Sequence, residues 1–529
     1  MKKHQNLMTQ LAAGSISRRQ FMEGSLALGA SIASSMAMAN QALAAPKSGG
    51  VFRLGLADTA ASETFDPATF TSNFMYAGMF GGALNTLTEL SANGDVIPEL
   101  AESFESSSDA KTWIFRLRKG VEFHNGKSLD AADVITSFNH HRGDDSKSGA
   151  RSLVAGIRDI RADDKNTVIF ELESGNVDFP YIANDFHLSI MPAKDGKLDW
   201  ANGVGTGGYV LQSYEPGIEM RLARNPNYWK PGRAHFDEVV LLAMGDVTTR
   251  QNALATGQID AMNRVDRRTI DLFARNPRIV ISEVTGTQHY TLPMNTTVTP
   301  FDNNDVRLAL KFAIDRQFLL DHILMGHGRI GNDHPIAPTN RYFATDIEQR
   351  QYDPDKAKFH LKKAGVGSLE VKLHTSEAAF TGAVDAAVLY KEQATKAGIL
   401  IDIVREPVDG YWDEVMLKQP WSMGYWSGRP TEDWMFSIAY AAGAPWNETH
   451  WDNPRFMELL IAARAELNQD KRRDMYREMQ LLVRDEGGAI IPLYANLIDA
   501  HSDKIAHETV VGTNFELDGW KALERWWFA

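Results

Sequence analysis

A pair of arginines near the start of the chain sets the first constraint on how it folds. Arg18-Arg19 lies within Ser17-Arg18-Arg19-Gln20-Phe21, and a mild apolar stretch rich in Ala, Gly and Ser follows over residues 24–39. Ala42-Leu43-Ala44 then offers the small-x-small pattern that signal peptidase takes, ahead of Ala45-Pro46. Basic region, apolar region and cleavage site in that order read as an export signal over residues 1–44. The twin arginine and the weak hydrophobicity select the Tat route over Sec. Tat carries folded proteins. The chain is therefore expected to complete its fold in the cytoplasm and to work outside it, from about Ala45 onward.

Composition narrows what such an exported chain can be. It has 529 residues, no cysteine and a formal net charge of −13; removing the signal's four basic residues and one acid takes this to −16. Without cysteine there are no disulfides, thiolate metal sites, cysteine nucleophiles or lipid anchor on an N-terminal cysteine. An acidic chain without basic tracts is a poor nucleic-acid binder, because phosphate binding needs clustered Lys and Arg, and no nucleic-acid partner is expected. After the signal no apolar run approaches the ~18 residues of a membrane span. A monomer of the periplasm is expected. Roughly 485 mature residues exceed what one core organises, so two or three subdomains are expected.

The order of patterns is α/β. Val51-Phe52-Arg53-Leu54-Gly55-Leu56 reads as a first strand, and Thr112-Trp113-Ile114-Phe115-Arg116-Leu117 alternates as a half-buried one. Asp130-Ala131-Ala132-Asp133 opens a helix. Residues 168–172 and 209–211 are further strands, the latter after the glycine turn 203–208. From about Asp305 helices dominate: 306–314, 354–364 and 386–397, the last leading into a strand at 399–404. Residues 462–483 form a long charged helix or a helix pair, and 489–494 return to a buried strand.

Several segments together resemble the solute-binding proteins of ABC importers, in the family that includes dipeptide- and oligopeptide-binding proteins. They are Ile97-Pro98-Glu99-Leu100-Ala101-Glu102-Ser103-Phe104, leading into Trp113 and on to His124-Asn125-Gly126; Gly205-Thr206-Gly207-Gly208-Tyr209 with Arg224-Asn225-Pro226-Asn227-Tyr228-Trp229; Ala253-Leu254-Ala255-Thr256-Gly257-Gln258-Ile259-Asp260; Val306-Arg307-Leu308-Ala309-Leu310; and Tyr352-Asp353-Pro354-Asp355-Lys356-Ala357. They occur in family order over nearly the whole mature chain. The resemblance implies an α/β, two-lobe periplasmic binding protein fold with an extra subdomain in the first lobe. Residues 45–295 would form the first lobe, 296–492 the second, and 493–529 would return to the first. It also implies capture of a peptide or small-molecule ligand by hinge closure, with ABC permease and ATPase subunits as partners and no cofactor.

Catalytic patterns are missing. There is no Gly-x-Ser-x-Gly elbow, no His-Glu-x-x-His helix and no phosphate loop ending in Gly-Lys-Ser/Thr. Gly205 to Gly208 reads as a tight turn, since no strand–turn–helix surrounds it. His140-His141 would point apart on a helix and make a poor metal site. The chain is expected to bind rather than catalyse.

Specificity information concentrates in residues 421–436. In peptide-binding relatives a similar strand ends in Trp, a small residue and Gly or Ala, then an Asp that holds the peptide's α-ammonium. Trp426-Ser427-Gly428 matches, but the next residue is Arg429. A guanidinium there pairs a carboxylate, phosphate or sulfate through a bidentate fork. The bland alternative is that Arg429 caps a loop or pairs with Glu432 or Asp433. Aromatic residues crowd nearby, and Tyr425, Trp426 and Trp412 are the expected wall of a cleft. Tyr76 and residues 59–65 are expected to face it from the first lobe by resemblance. His289 is a further candidate and His334 a weaker one, each with a structural role as the alternative. The ligand is expected to be a peptide or a peptide-like, anionic solute; the alternative is a non-peptide solute such as an opine, an oligosaccharide or a metal chelate.

Overall fold

The computed structural model describes residues 7, 10, 18–27, 46–58, 62–143 and 145–529. The twin arginine opens a helix, Arg18–Ala27. The cleavage site, most of the apolar stretch and residues 59–61 lie outside the described residues.

The first strand, Val51–Leu56, runs parallel to Glu238–Ala243, pairing Phe52 with Val239 and Leu54 with Leu241. Its alternation is the one the sequence shows: Phe52, Leu54 and Leu56 are fully buried. Phe52 stacks on Phe236 at 4.4 Å, within a core that also holds Met79, Met220, Leu222 and Trp520. The mixed sheet around it runs in the order 209–215, 219–224, 238–243, 51–56, 261–262, 493–502, 279–293 and 424–426. A second, smaller unit is a four-stranded antiparallel sheet, Ala101–Ser106, Thr112–Leu117, Thr167–Leu172 and Ile157–Asp164 in spatial order. Helix Ala131–Asn139 packs on it. Its start was legible in the sequence: Asp130 caps the Ala132 and Asp133 amides, and Asp133 answers as a capping box.

The glycine turn is packed against backbone and leaves no room for a phosphate. A Cβ on Gly207 would lie 2.3 Å from the Gly82 carbonyl oxygen, and His124 Nε2 sits 3.0 Å from the Gly207 oxygen. The histidine pair also diverges: His140 meets Asp66 at 2.7 Å and His141 meets Ser148 at 2.6 Å.

In the second lobe, helices Asn304–Phe312, Arg316–Ile323, Pro354–Lys363 and Ala383–Thr395 surround the parallel pair Leu369–Thr375 and Ile399–Arg405. Bridges at His374–Ser422 and Met294–Trp421 extend that pair toward the first lobe. The charged stretch resolves into two helices, Pro454–Ala465 and Gln469–Glu486, which bury Phe456, Leu460, Tyr476 and Met479 against Phe436.

Two antiparallel strands carry the chain between lobes. Ile279–Pro293 pairs with Leu493–Ser502 from Ile279 to Thr285; the register breaks, and residues 289–291 then pair with 424–426. The last segment closes the first lobe: Trp527–Phe528 pairs with Ile505–Ala506, and Lys47 bridges Phe528. Beneath it Lys230 Nζ meets the buried Glu89, Glu99 and Glu524 at 2.6, 2.7 and 2.9 Å, and buried Arg525 meets Glu89 at 2.6 Å.

Candidate ligand-binding site

A cavity of about 690 Å³ lies between the four-stranded unit and the second lobe. One side is Ile157, from the edge strand of the small sheet, with Leu153, Phe179 and Ile182 from the short helices Arg151–Val154 and Phe179–Ile182. The other side is built by the segment that the sequence marks. Trp412, Tyr425, Trp426, Arg429, Asp433 and Trp434 all line it.

Strand Gly424–Trp426 pairs with 289–291, which fixes its alternation. Trp426 turns inward and is 8 % exposed, while Tyr425 on the other face is 39 % exposed. Tyr425 meets Trp412, 41 % exposed, edge to face at 5.6 Å. Gly428 follows at φ +82°, and a Cβ there would lie 2.2 Å from Thr287 Oγ1. Only glycine lets the loop press so closely on the long strand. This close approach aims the next side chain, Arg429, over the indoles of Trp426 and Trp434 at 5.3 and 5.8 Å.

Arg429 donates from Nη1 to its neighbour's carbonyl, Gly428 O, at 2.6 Å. Among the described residues no carboxylate lies within 4 Å of it. Burial lowers its pKa, opposed by the more distant charge of Asp185. Both acids that could have neutralised it are engaged elsewhere. Glu432 accepts the Tyr342 amide at 2.6 Å, and Asp433 holds Arg464 at 3.0 Å. Burial pushes Glu432 up to about 7 and Asp433 up to about 6.

Tyr76, His289, His334 and Gly428 sit outside the cavity lining. Tyr76 is half-buried between Phe186 and Trp520, at 4.3 and 5.8 Å. Burial raises its hydroxyl pKa, and the Arg429 charge partly offsets this. His289 is fully buried, its Nδ1 3.0 Å from the Thr287 carbonyl, and burial holds it down at about 4. His334 is likewise buried, held down at about 3. Gly428 shapes the loop from beneath.

The first-lobe wall and Glu448, which also lines the cavity, were not legible. They converge only when the lobes meet, and no local spacing marks them. The lobes do meet. Val177 N donates to Arg464 O at 2.8 Å, and Asp178 pairs with Arg472 at 2.7 Å, with both side chains under 10 % exposed.

An α/β frame of two lobes, joined by paired strands and closed over an aromatic cavity, is the architecture of proteins that bind a ligand between lobes. The match to known proteins is specific. Residues 95–448 fit the model of the bacterial extracellular solute-binding proteins, family 5, and the chain belongs to that family, whose members serve ABC importers. The dipeptide-binding protein of Escherichia coli K12 is 26 % identical over 83 % of this chain and 88 % of its own. Among solved structures, the periplasmic binding protein DppA of Helicobacter pylori in complex with the peptide STSA is 25 % identical, with a TM-score of 0.74 over 90 % of this chain and 98 % of that one. AgaA of A. tumefaciens R10 in complex with agropinic acid is 21 % identical, with a TM-score of 0.77 over 91 % and 99 %.

Proposed function

We propose that this chain, exported through its twin-arginine signal, is the periplasmic receptor of an ABC importer for a short, peptide-like solute carrying an anionic group. The receptor works as a monomer and hands its cargo to permease and ATPase subunits. The observation that carries the ligand reading is Arg429: a guanidinium in the cavity wall, stacked on two indoles, with no carboxylate partner among the described residues. Held by the two indoles and by the Nη1 bond to the Gly428 carbonyl, the guanidinium keeps its Nε and Nη2 edge to meet an oxyanion. Tyr425 and Trp412 supply apolar surface for the solute's body, and Trp426 the floor. The volume suits a molecule of small-ligand size and excludes a long peptide held entirely inside.

The same arginine favours a second reading, a non-peptide anionic solute such as an opine, because it stands where peptide-binding relatives keep an aspartate. Calorimetry of wild type, Arg429→Ala and Arg429→Lys against dipeptides and against agropinic acid tests both. A charge-assisted contact of ~1.5–3 kcal/mol makes Arg429→Ala about tenfold or more weaker, incompletely rescued by Lys. An unchanged affinity in Arg429→Ala sinks the anionic-group reading.

A further inference from the structure

The cavity holds a second ionisable group whose partners are incomplete. Glu448 lines the same cavity as Arg429. Its carboxylate accepts from the Thr291 hydroxyl at 3.4 Å and from the Trp426 side chain, both neutral donors. Among the described residues no Lys, Arg or His lies within 4 Å of it. The other acid of the wall, Asp433, has Arg464. Buried carboxylates are ordinarily paired. A lone one at a binding surface is a group awaiting its partner.

Its position relates it to Arg429. The guanidinium lies over the face of the Trp426 indole, and Glu448 takes a hydrogen bond from the same side chain, whose only donor is the ring N–H. One indole therefore separates a cationic pole from an acidic one. We propose that Glu448 is a specificity-determining residue that takes a protonated nitrogen of the solute while Arg429 takes its anionic group, so that the cavity selects short zwitterions. The proposal rests on the Arg429 reading above, which supplies the second pole.

Burial pushes the Glu448 carboxyl up to about 8, with no charged side chain opposing it. At neutral pH it therefore holds a proton. When the ligand's ammonium or guanidinium arrives, that proton passes to solvent and a carboxylate–cation pair remains. Binding should release close to one proton.

The test uses three probes: the dipeptide Met-Leu, N-acetyl-Met-Leu, which lacks the cation, and Met-Leu amide, which lacks the anion. Each is titrated calorimetrically into wild type and Glu448→Gln, in two buffers of different ionisation enthalpy. Glutamine keeps an acceptor for Thr291 and Trp426, and the melting curve checks its fold. Wild type is expected to prefer Met-Leu over its acetylated form by about tenfold or more, with proton release. Glu448→Gln is expected to lose both the preference and the release. Equal binding of Met-Leu and N-acetyl-Met-Leu by wild type overturns the proposal, as does a preference preserved in Glu448→Gln, or no binding of any probe at millimolar concentration. Met-Leu amide binding as tightly as Met-Leu would defeat the Arg429 reading alone, because the acetyl arm reads Glu448 separately.

Discussion

The pair between Asp178 and Arg472 joins the small sheet's trailing turn to the long helix of the second lobe, and Asp178→Asn probes what it contributes to closure. In a separated pair of lobes both groups are hydrated. Together they sit 2.7 Å apart, Arg472 at 1 % side-chain exposure and Asp178 at 9 %. Removing one partner of a buried pair destabilises by ~3–5 kcal/mol, chiefly through the charge left behind. Arg472 would keep the Ala463 carbonyl at 3.0 Å and the Tyr342 and Tyr476 hydroxyls at 3.4 and 3.3 Å. Glu432 and Asp433 are also close enough to ionise in response. The loss therefore belongs at the lower end, about 3 kcal/mol, or on the order of a hundredfold in the closing equilibrium. The effect falls on the closed form alone, so apparent affinity for any ligand of the closed cavity should weaken by up to the same factor. The chain has no cysteine, so one introduced in each lobe gives clean single-molecule distance distributions. The expected result is a shift of the ligand-free distribution toward longer distances in Asp178→Asn. Identical distributions and identical affinities in the two proteins would refute a latch at this pair.

Three other outcomes are expected. Gly428→Ala places a Cβ 2.2 Å from Thr287 Oγ1 at a positive φ, so it should lower stability by ~1–3 kcal/mol, read by denaturant melts, and weaken binding as Arg429 is displaced. Glu432 has its folded pKa raised to about 7 against an ordinary 4.5. The folded state then binds more protons than the unfolded one between those values, and this group's contribution to stability falls as pH rises from 4.5 to 7. Glu432→Gln should accordingly compare best with wild type above pH 7 and worst near pH 4.5, in melting temperatures taken across that range. Replacing Arg18 and Arg19 with Lys should hold the precursor in the cytoplasm; undiminished periplasmic yield by fractionation would remove the Tat assignment.

Much of this fold could be read from local pattern. Period-two alternation at Phe52-Leu54-Leu56 and at Trp113-Phe115-Leu117 encodes strands with one buried face. Asp130, Asp246, Asn303, Asp315, Asp353 and Asn453 each cap a helix start with a side-chain acceptor. The second-lobe half of the site was legible for a related reason: its aromatics and Arg429 lie within one short stretch, on a strand and the loop after it. The first-lobe half was not. Leu153, Ile157, Phe179 and Ile182 are ordinary apolar residues whose neighbours belong to the same small sheet, and only docking of the lobes gives them a cavity to line. Glu448 was hidden likewise, because nothing in its local sequence distinguishes a lone cavity carboxyl from a surface one.

The way the first lobe is closed bears on the timing of synthesis. The second lobe is built from an almost unbroken run of chain and can begin to consolidate as it emerges. The sheet of the first lobe lacks strand Leu493–Ser502 until that strand is made. Lys230, Glu89 and Glu99 lack two of their partners until Glu524 and Arg525 arrive. For hundreds of residues of translation the earlier half must therefore wait with an unpaired sheet edge and unbalanced charge, a state open to chaperones and to aggregation. A transport route that accepts only finished molecules would test that last contact each time: a chain stopped short of Glu524 has a sound second lobe and an unfinished first one, and should be retained rather than exported.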